Sequence, residues 1–273
     1  RDHLVEIAAH GFEAIEVFAL RDHFDYRDRR AAIELAEWLD DTRLRLHSMH
    51  APIAATFANG KWHDGLTIAA ADEDRRKAAV QAFIATLDVA GTVPYNVLVA
   101  HCGVPAPYGS AGDNHRGALV KSLEELAPVA QRYNVRIAIE VIPNELSTAS
   151  ALVELIESDI DAAGLGICMD VGHARIMGDV VDAIETCSGH VITTHLHDNR
   201  GRSDDHLMPG KGVIDWDATM LAFQKVGYDG VWMFELATAK DHKPVLEQAA
   251  KARERLESLL DIGDEMMGLD DEP

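Results

Sequence analysis

A chain of 273 residues, 47% of them hydrophobic, can bury one full α/β core. It contains no run of about 18 or more apolar residues, which excludes a helical membrane span. The formal charge of −21 disfavours nucleic acid, because that binding draws on cationic contacts to phosphate and no Lys/Arg cluster offsets the excess. A small neutral or chelated substrate fits better, and no membrane partner is expected. Cys102, Cys168 and Cys187 are irregularly spaced, giving neither a disulfide framework nor a cysteine-type zinc motif. Reduced thiols in a cytoplasmic protein are the plain expectation. Cys168 shares the inward face of its strand with Asp170, where a small buried side chain is a better reading than a ligand.

The opening residues, RDHLVEIAAH, are charged and helical in pattern, not a signal peptide. Strand-like runs follow at 12–19, 44–50, 96–102, 135–141, 164–170, 190–197 and 230–236. Helical stretches fall near 2–10, 30–42, 72–90, 115–133, 147–158, 178–187, 216–226 and 243–261. Such alternation predicts a parallel sheet with helices outside, a (β/α)8 TIM barrel. Seven strands are visible, so an eighth is expected upstream of Arg1. One domain over 1–273 is expected, with the acidic stretch 263–273 loosely ordered. The long connections 51–71 and 103–114 are expected to cover the barrel rim as lids.

Side-chain alternation locates the chemistry. In VRIAIEV, Val135, Ile137, Ile139 and Val141 face the helices, while Arg136, Ala138 and Glu140 face the interior. Asp170 and Glu235 close the inward faces of their strands in the same way. Barrel enzymes keep their reactive groups at this C-terminal rim. Nine ligand-type side chains gather at the ends of six strands: His50, His101, Glu140, Asp170, His173, His195, Asp204, His206 and Glu235. An isolated carboxylate such as Glu140 could pair with Arg136, but clustered negative charges repel unless a cation neutralises them. His195 and His197 share a face two residues apart; the deeper His195 is the expected ligand, with His197 orienting substrate or a ligand. His3, His10, His23, His63, His115, His190 and His242 are expected mostly in solvent, and so is Lys211.

The segments SMHAP, LVAHCG, IAIEVIPN, CMDVGHA, THLHDN, DDHLMPGKGVIDW and FELA, taken in order, resemble the xylose-isomerase-like TIM-barrel superfamily. That superfamily includes sugar (phosphate) isomerases and epimerases and the endonuclease IV branch of DNA repair. The resemblance implies a divalent metal ion (Mn, Mg, Zn or Co) held by Glu140, Asp170, His195 and Glu235, with Glu140 and Glu235 as an acid/base pair. His50, His101, His173, His197, Asp204 and His206 are then substrate-binding or additional metal residues. The implied activity is isomerisation or epimerisation of a sugar or sugar-like ketone through an enediolate, with a sugar-like small molecule as partner and a homo-oligomer as the expected assembly. A related lyase or dehydratase, and an endonuclease IV-like hydrolase of abasic DNA, are the alternatives.

Overall fold

The structure, a computed structural model, describes residues 1–58, 61–106, 108–160, 163–237 and 242–268. Seven parallel strands form its sheet: β1 (Ala14–Phe18), β2 (Arg45–His50), β5 (Val97–His101), β6 (Arg136–Glu140), β7 (Leu165–Asp170), β8 (Val191–Leu196) and β9 (Trp232–Phe234). They follow one another in chain order and curl into a nearly closed barrel of the TIM type. The 51–71 connection, expected to cover the rim, carries an antiparallel hairpin, β3 (Ala54–Ala58) and β4 (Lys61–Gly65). An Asn-Gly pair at 59–60, outside the described residues, is the hairpin signal in the sequence.

The helices are α1 (Asp2–Ala9), α2 (Arg29–Thr42), α3 (Glu73–Asp88), α4 (Arg116–Arg132), α5 (Ala149–Glu154), α6 (Val171–Met177), α7 (Val180–Thr186), α8 (Trp216–Lys225) and α9 (Lys243–Gly268). Most start on a side-chain cap, which satisfies an N–H that the first helical turn leaves free. Asp72 accepts from Arg75 N, Thr148 from Ala151 N, Asp179 from Asp182 N and Asp215 from Ala218 N. His115, expected in solvent, caps α4 by accepting from Ala118 N. Two boundaries differ from expectation. A helix, α6, begins directly after β7, so His173 lies in its first turn rather than on a loop. At the C-terminus, α9 continues to Gly268, past residue 261, where the helix was expected to end; 269–273 lie outside the described residues.

Two apolar bodies hold the barrel. Outside the sheet, Ile137, Ile139, Ile167 and Met169 pack against helix residues such as Phe83, Leu119, Leu123 and Leu152. Each fully buried side chain of this size contributes about 1.5–3 kcal/mol. Inside the sheet, Val97, Val99, Ala138, Cys168 and Ile192 plug the bore beneath the rim. The plug depends on a bulge, because β7–β8 register passes from Ile167↔Val191 to Cys168↔Thr193 and turns Ile192 inward. Gly166 makes room for it, since a Cβ there would stand 2.5 Å from Ile192 Cγ2. A second bulge moves β1–β2 register from Ile15↔Leu46 to Glu16↔Ser48. Arg136 is exposed at the opposite end of β6 from Glu140, so the simple ion-pair explanation of that carboxylate does not hold. Among the described residues no helix is long and apolar enough to cross a membrane.

Candidate metal centre

Parallel register aligns the strand ends: His101 lies opposite Glu140, and Asp170 opposite His195. Glu140, fully buried, is the hub. Its Oε2 stands 3.2 Å from His50 Nε2 and 3.0 Å from His101 Nε2. Its Oε1 stands 3.3 Å from His195 Nδ1 and 3.5 Å from His173 Nδ1. The same His195 Nδ1 meets Glu235 Oε2 at 3.1 Å and Asp170 Oδ2 at 3.8 Å. Asp170 in turn approaches His173 Nδ1 and His197 Nε2, each at 3.1 Å. Asp204 lies 3.3 Å from His173 and 2.9 Å from His206.

Three sets of donor atoms result, each set lying within 4.8 Å of one another. The central set is Glu140, Asp170, His195 and Glu235; a second is His50, His101 and Glu140; the third is His173, His197, Asp204 and His206. All ten residues singled out in the sequence therefore meet at one rim. His195 and His197 are both fully buried and go to different sets, so depth does not separate them.

The donor chemistry fits divalent cations. Buried Glu140 Oε2, Glu235 Oε2, His173 Nδ1 and His197 Nδ1 have no hydrogen-bond partner among the described residues. Yet imidazole nitrogens stand 3.0–3.2 Å from the two carboxylate oxygens. Close approach without hydrogen-bond alignment is how ligands sit along the edges of a coordination shell; tetrahedral bonds of ~2.1 Å give edges of about 3.4 Å. Imidazole and carboxylate donors suit Zn, Mn or Co and, with fewer nitrogens, Mg.

Electrostatics within the cluster is reciprocal. Burial pushes the Glu140 carboxyl up, but facing His101 and His195 hold it well below the ordinary range. Burial likewise opposes Asp170 ionisation and is outweighed by His173 and His197. Burial lowers His206, while Asp204 and Glu235 raise it, leaving it at about 9. His173 and His195 are raised in the same manner against their burial.

The third set is built on local devices. Asp170 caps α6 through His173 N at 2.6 Å, which fixes the His173 backbone over the rim. Gly172 lies against the His197 ring so closely that a Cβ would overlap it. Asp204 and His206 sit on the 199–214 connection, tied down by buried Asp198. One Asp198 oxygen accepts from Asn199 N (2.9 Å) and Ile214 N (3.2 Å), the other from Gly210 N (2.9 Å) and Trp216 Nε1 (3.0 Å). His206 itself adopts φ 44, a conformation rare for a residue with a Cβ. Its Nδ1 hydrogen-bonds Glu235 O, and its own carbonyl accepts from Ala237 N. Above the rim, the hairpin carries Phe57 and Trp62, with ring centroids 4.6 Å apart. Phe18 bridges Trp62 to His50, stacking on the latter at 4.5 Å.

Sequence reasoning passed over Glu16, Ser48, His47 and Asp198. Glu16 Oε1 lies 3.1 Å from His195 Nε2, and Ser48 Oγ donates to Glu16 Oε2 at 2.7 Å. His47 reaches across the bore to Thr193 Oγ1 at 3.1 Å. Glu16 had the same signal as Glu140, a lone carboxylate between outward-facing Ile15 and Val17. Of the remaining histidines, His3, His23 and His63 are exposed, His190 pairs with Glu157 at 3.0 Å and His242 rests against His3. Half-buried His10 sits with Nδ1 2.7 Å from Glu6 O, and Lys211 is exposed as expected.

Comparison with known proteins points the same way. The chain is 28% identical to the uncharacterized protein MJ1311 of Methanocaldococcus jannaschii over 268 residues, 95% of this chain and 84% of that one. It is 22% identical to an inosose isomerase of Bacillus velezensis over 266 residues, covering 92% and 88% of the two chains. Among solved structures, a D-tagatose 3-epimerase-like protein superposes with TM-score 0.76 at 27% identity, covering 95% of this chain and 92% of that one. With its parallel barrel, its rim of carboxylates and imidazoles, and a family-model match over residues 4–262, the chain belongs to the xylose isomerase-like TIM barrel family.

Proposed function

We propose that the chain is a divalent-metal-dependent isomerase or epimerase acting on a sugar or sugar-like ketone. The observation that carries this reading is that donor atoms of Glu140, Asp170, His195 and Glu235 all lie within 4.8 Å of one another, close enough to share one ion. Two of the four are glutamates, more acid/base capacity than binding alone needs. Sugar-processing names among the relatives support it. Glu140, Asp170, His195 and Glu235 would hold a divalent ion, which would supply Lewis-acid stabilisation of the negative charge that develops on the substrate.

The chain's own residues handle the proton. Glu235, with a side chain 30% exposed, is open to the rim and removes the proton beside the carbonyl. Glu140 is deeper and ionised; it takes a proton from a facing imidazole such as His173, 3.5 Å away, and passes it to the opposite face or the neighbouring carbon. His173, His206, His101 and His50 offer donors to substrate hydroxyls. The test is solvent deuterium incorporation into a panel of ketoses with Mn²⁺-loaded protein. Glu235→Gln is expected to lose exchange while keeping its fold; exchange at the wild-type rate would remove Glu235 as the base. An elimination product in place of an epimer would assign the same proton abstraction to a lyase.

One observation favours a second reading. Isomerisation through an enediolate needs the central set alone, whereas the two flanking sets add sites for further ions. A multi-metal centre is suited to activating water and neutralising a phosphate, as in hydrolysis of abasic DNA. The charge of −21 weighs against a polyanionic substrate. Metal stoichiometry of protein purified without chelators separates the two, one ion per chain supporting the isomerase and three the hydrolase. Incision of an abasic-site oligonucleotide at low salt would reverse the ranking.

A further inference from the structure

We propose that Glu16 is the positioning residue of His195, acting on the metal centre without joining it. The inference rests on the reading above that the central set holds a divalent ion. His195 presents Nδ1 to Glu140, Asp170 and Glu235, at 3.3, 3.8 and 3.1 Å. Its opposite nitrogen, Nε2, faces Glu16, at 3.1 Å to Oε1 and 3.3 Å to Oε2. A ring that ligates through Nδ1 must carry its proton on Nε2, and that buried N–H requires an acceptor. Glu16 is placed to be it.

The alternatives on the same ring are poor. Cys168 also lies beside His195, but a thiol sulfur is a weak acceptor. Glu16 lies on the far side of the imidazole from the other carboxylates and is absent from all three donor sets. It is itself held: Ser48 Oγ donates to Oε2 at 2.7 Å, from the residue that the β1–β2 bulge sets opposite it. The chain Ser48–Glu16–His195 thus fixes the imidazole's tautomer and plane and increases its basicity as a ligand, as carboxylate–histidine–metal arrangements do.

The experiment titrates metal-stripped full-length protein with Co²⁺ alone, reading visible absorption, in wild type, Glu16→Ala, Glu16→Gln and Ser48→Ala. The central ion is identified as the one lost in Glu235→Gln. Glu16→Ala is expected to weaken it 10- to 100-fold, and isosteric Glu16→Gln, which keeps an acceptor but no charge, to weaken it less. Ser48→Ala is expected to have the smallest effect. Nitrogen-15 spectra of Zn²⁺-loaded protein labelled at histidine are expected to show His195 ligating through Nδ1 with a proton on Nε2. Unchanged affinity in both Glu16 variants, or ligation through Nε2, overturns the proposal and leaves the function untouched. Wild-type protein that binds no ion at the central set overturns both.

Discussion

Replacing Asp198 by asparagine keeps the side chain's shape and removes its charge. Each carboxylate oxygen accepts two N–H groups, four in all at 2.9–3.2 Å. Whichever way the amide lies, its NH₂ faces two donors and those two bonds are lost. Hydrogen bonds to a charged acceptor contribute about 1.5–3 kcal/mol each, so the loss is on the order of 3 kcal/mol or more. Relief from burying the charge offsets part of this, but the donors left facing NH₂ keep the sign unfavourable. Chemical denaturation should show a urea midpoint lower by about 1 M, for a slope near 3 kcal/mol/M. Because three of the four donors belong to the 199–214 connection, hydrogen exchange should rise there first, and any ion held by Asp204 and His206 should be lost before one at the central set. A variant with wild-type midpoint, exchange and metal content would refute the claim that Asp198 organises this connection.

Gly172→Ala sets a helix gain of about 1 kcal/mol against overpacking on the His197 ring of about 1–3 kcal/mol. The expected result is a net loss in Tm, together with weaker binding of any ion held by the third set and no change at the central one, read by metal titration. Trp62→Ala removes an exposed ring above the rim, so KM for the accepted sugar is expected to rise several-fold with kcat little changed; steady-state kinetics tests it. Asp113 anchors the 103–114 connection: burial pushes its carboxyl up, but donation from Ser110 and Arg75 holds it below the ordinary value. A depressed folded-state pKa contributes stability above the unfolded value near ~3.9 that is lost as pH falls through the folded one. The Tm gap between wild type and Asp113→Asn should therefore narrow below about pH 4.

The rim was legible because barrel strands alternate with period two and end in a carboxylate or imidazole. Glu140, Asp170, His195 and Glu235 all obey that rule, and their convergence follows from parallel register. Part of what escaped detection breaks the period, although Glu16 does not. The bulge at His47 turns two successive residues, His47 and Ser48, inward, and the bulge at Ile192 drives a residue expected to face helices into the bore. Neither is marked by a glycine or proline in its own strand. The β3–β4 hairpin is short, and KWHDG is wholly exposed, leaving no apolar alternation to read. Asp198 was overshadowed by its histidine neighbours; its importance comes from backbone N–H groups that composition does not reveal.

Glu140 belongs to two donor sets at once, with one oxygen toward the histidines of each. Were both sets to take an ion, the shared carboxylate would couple them, because a charge held at the first would repel a second. Loading would then be stepwise rather than independent.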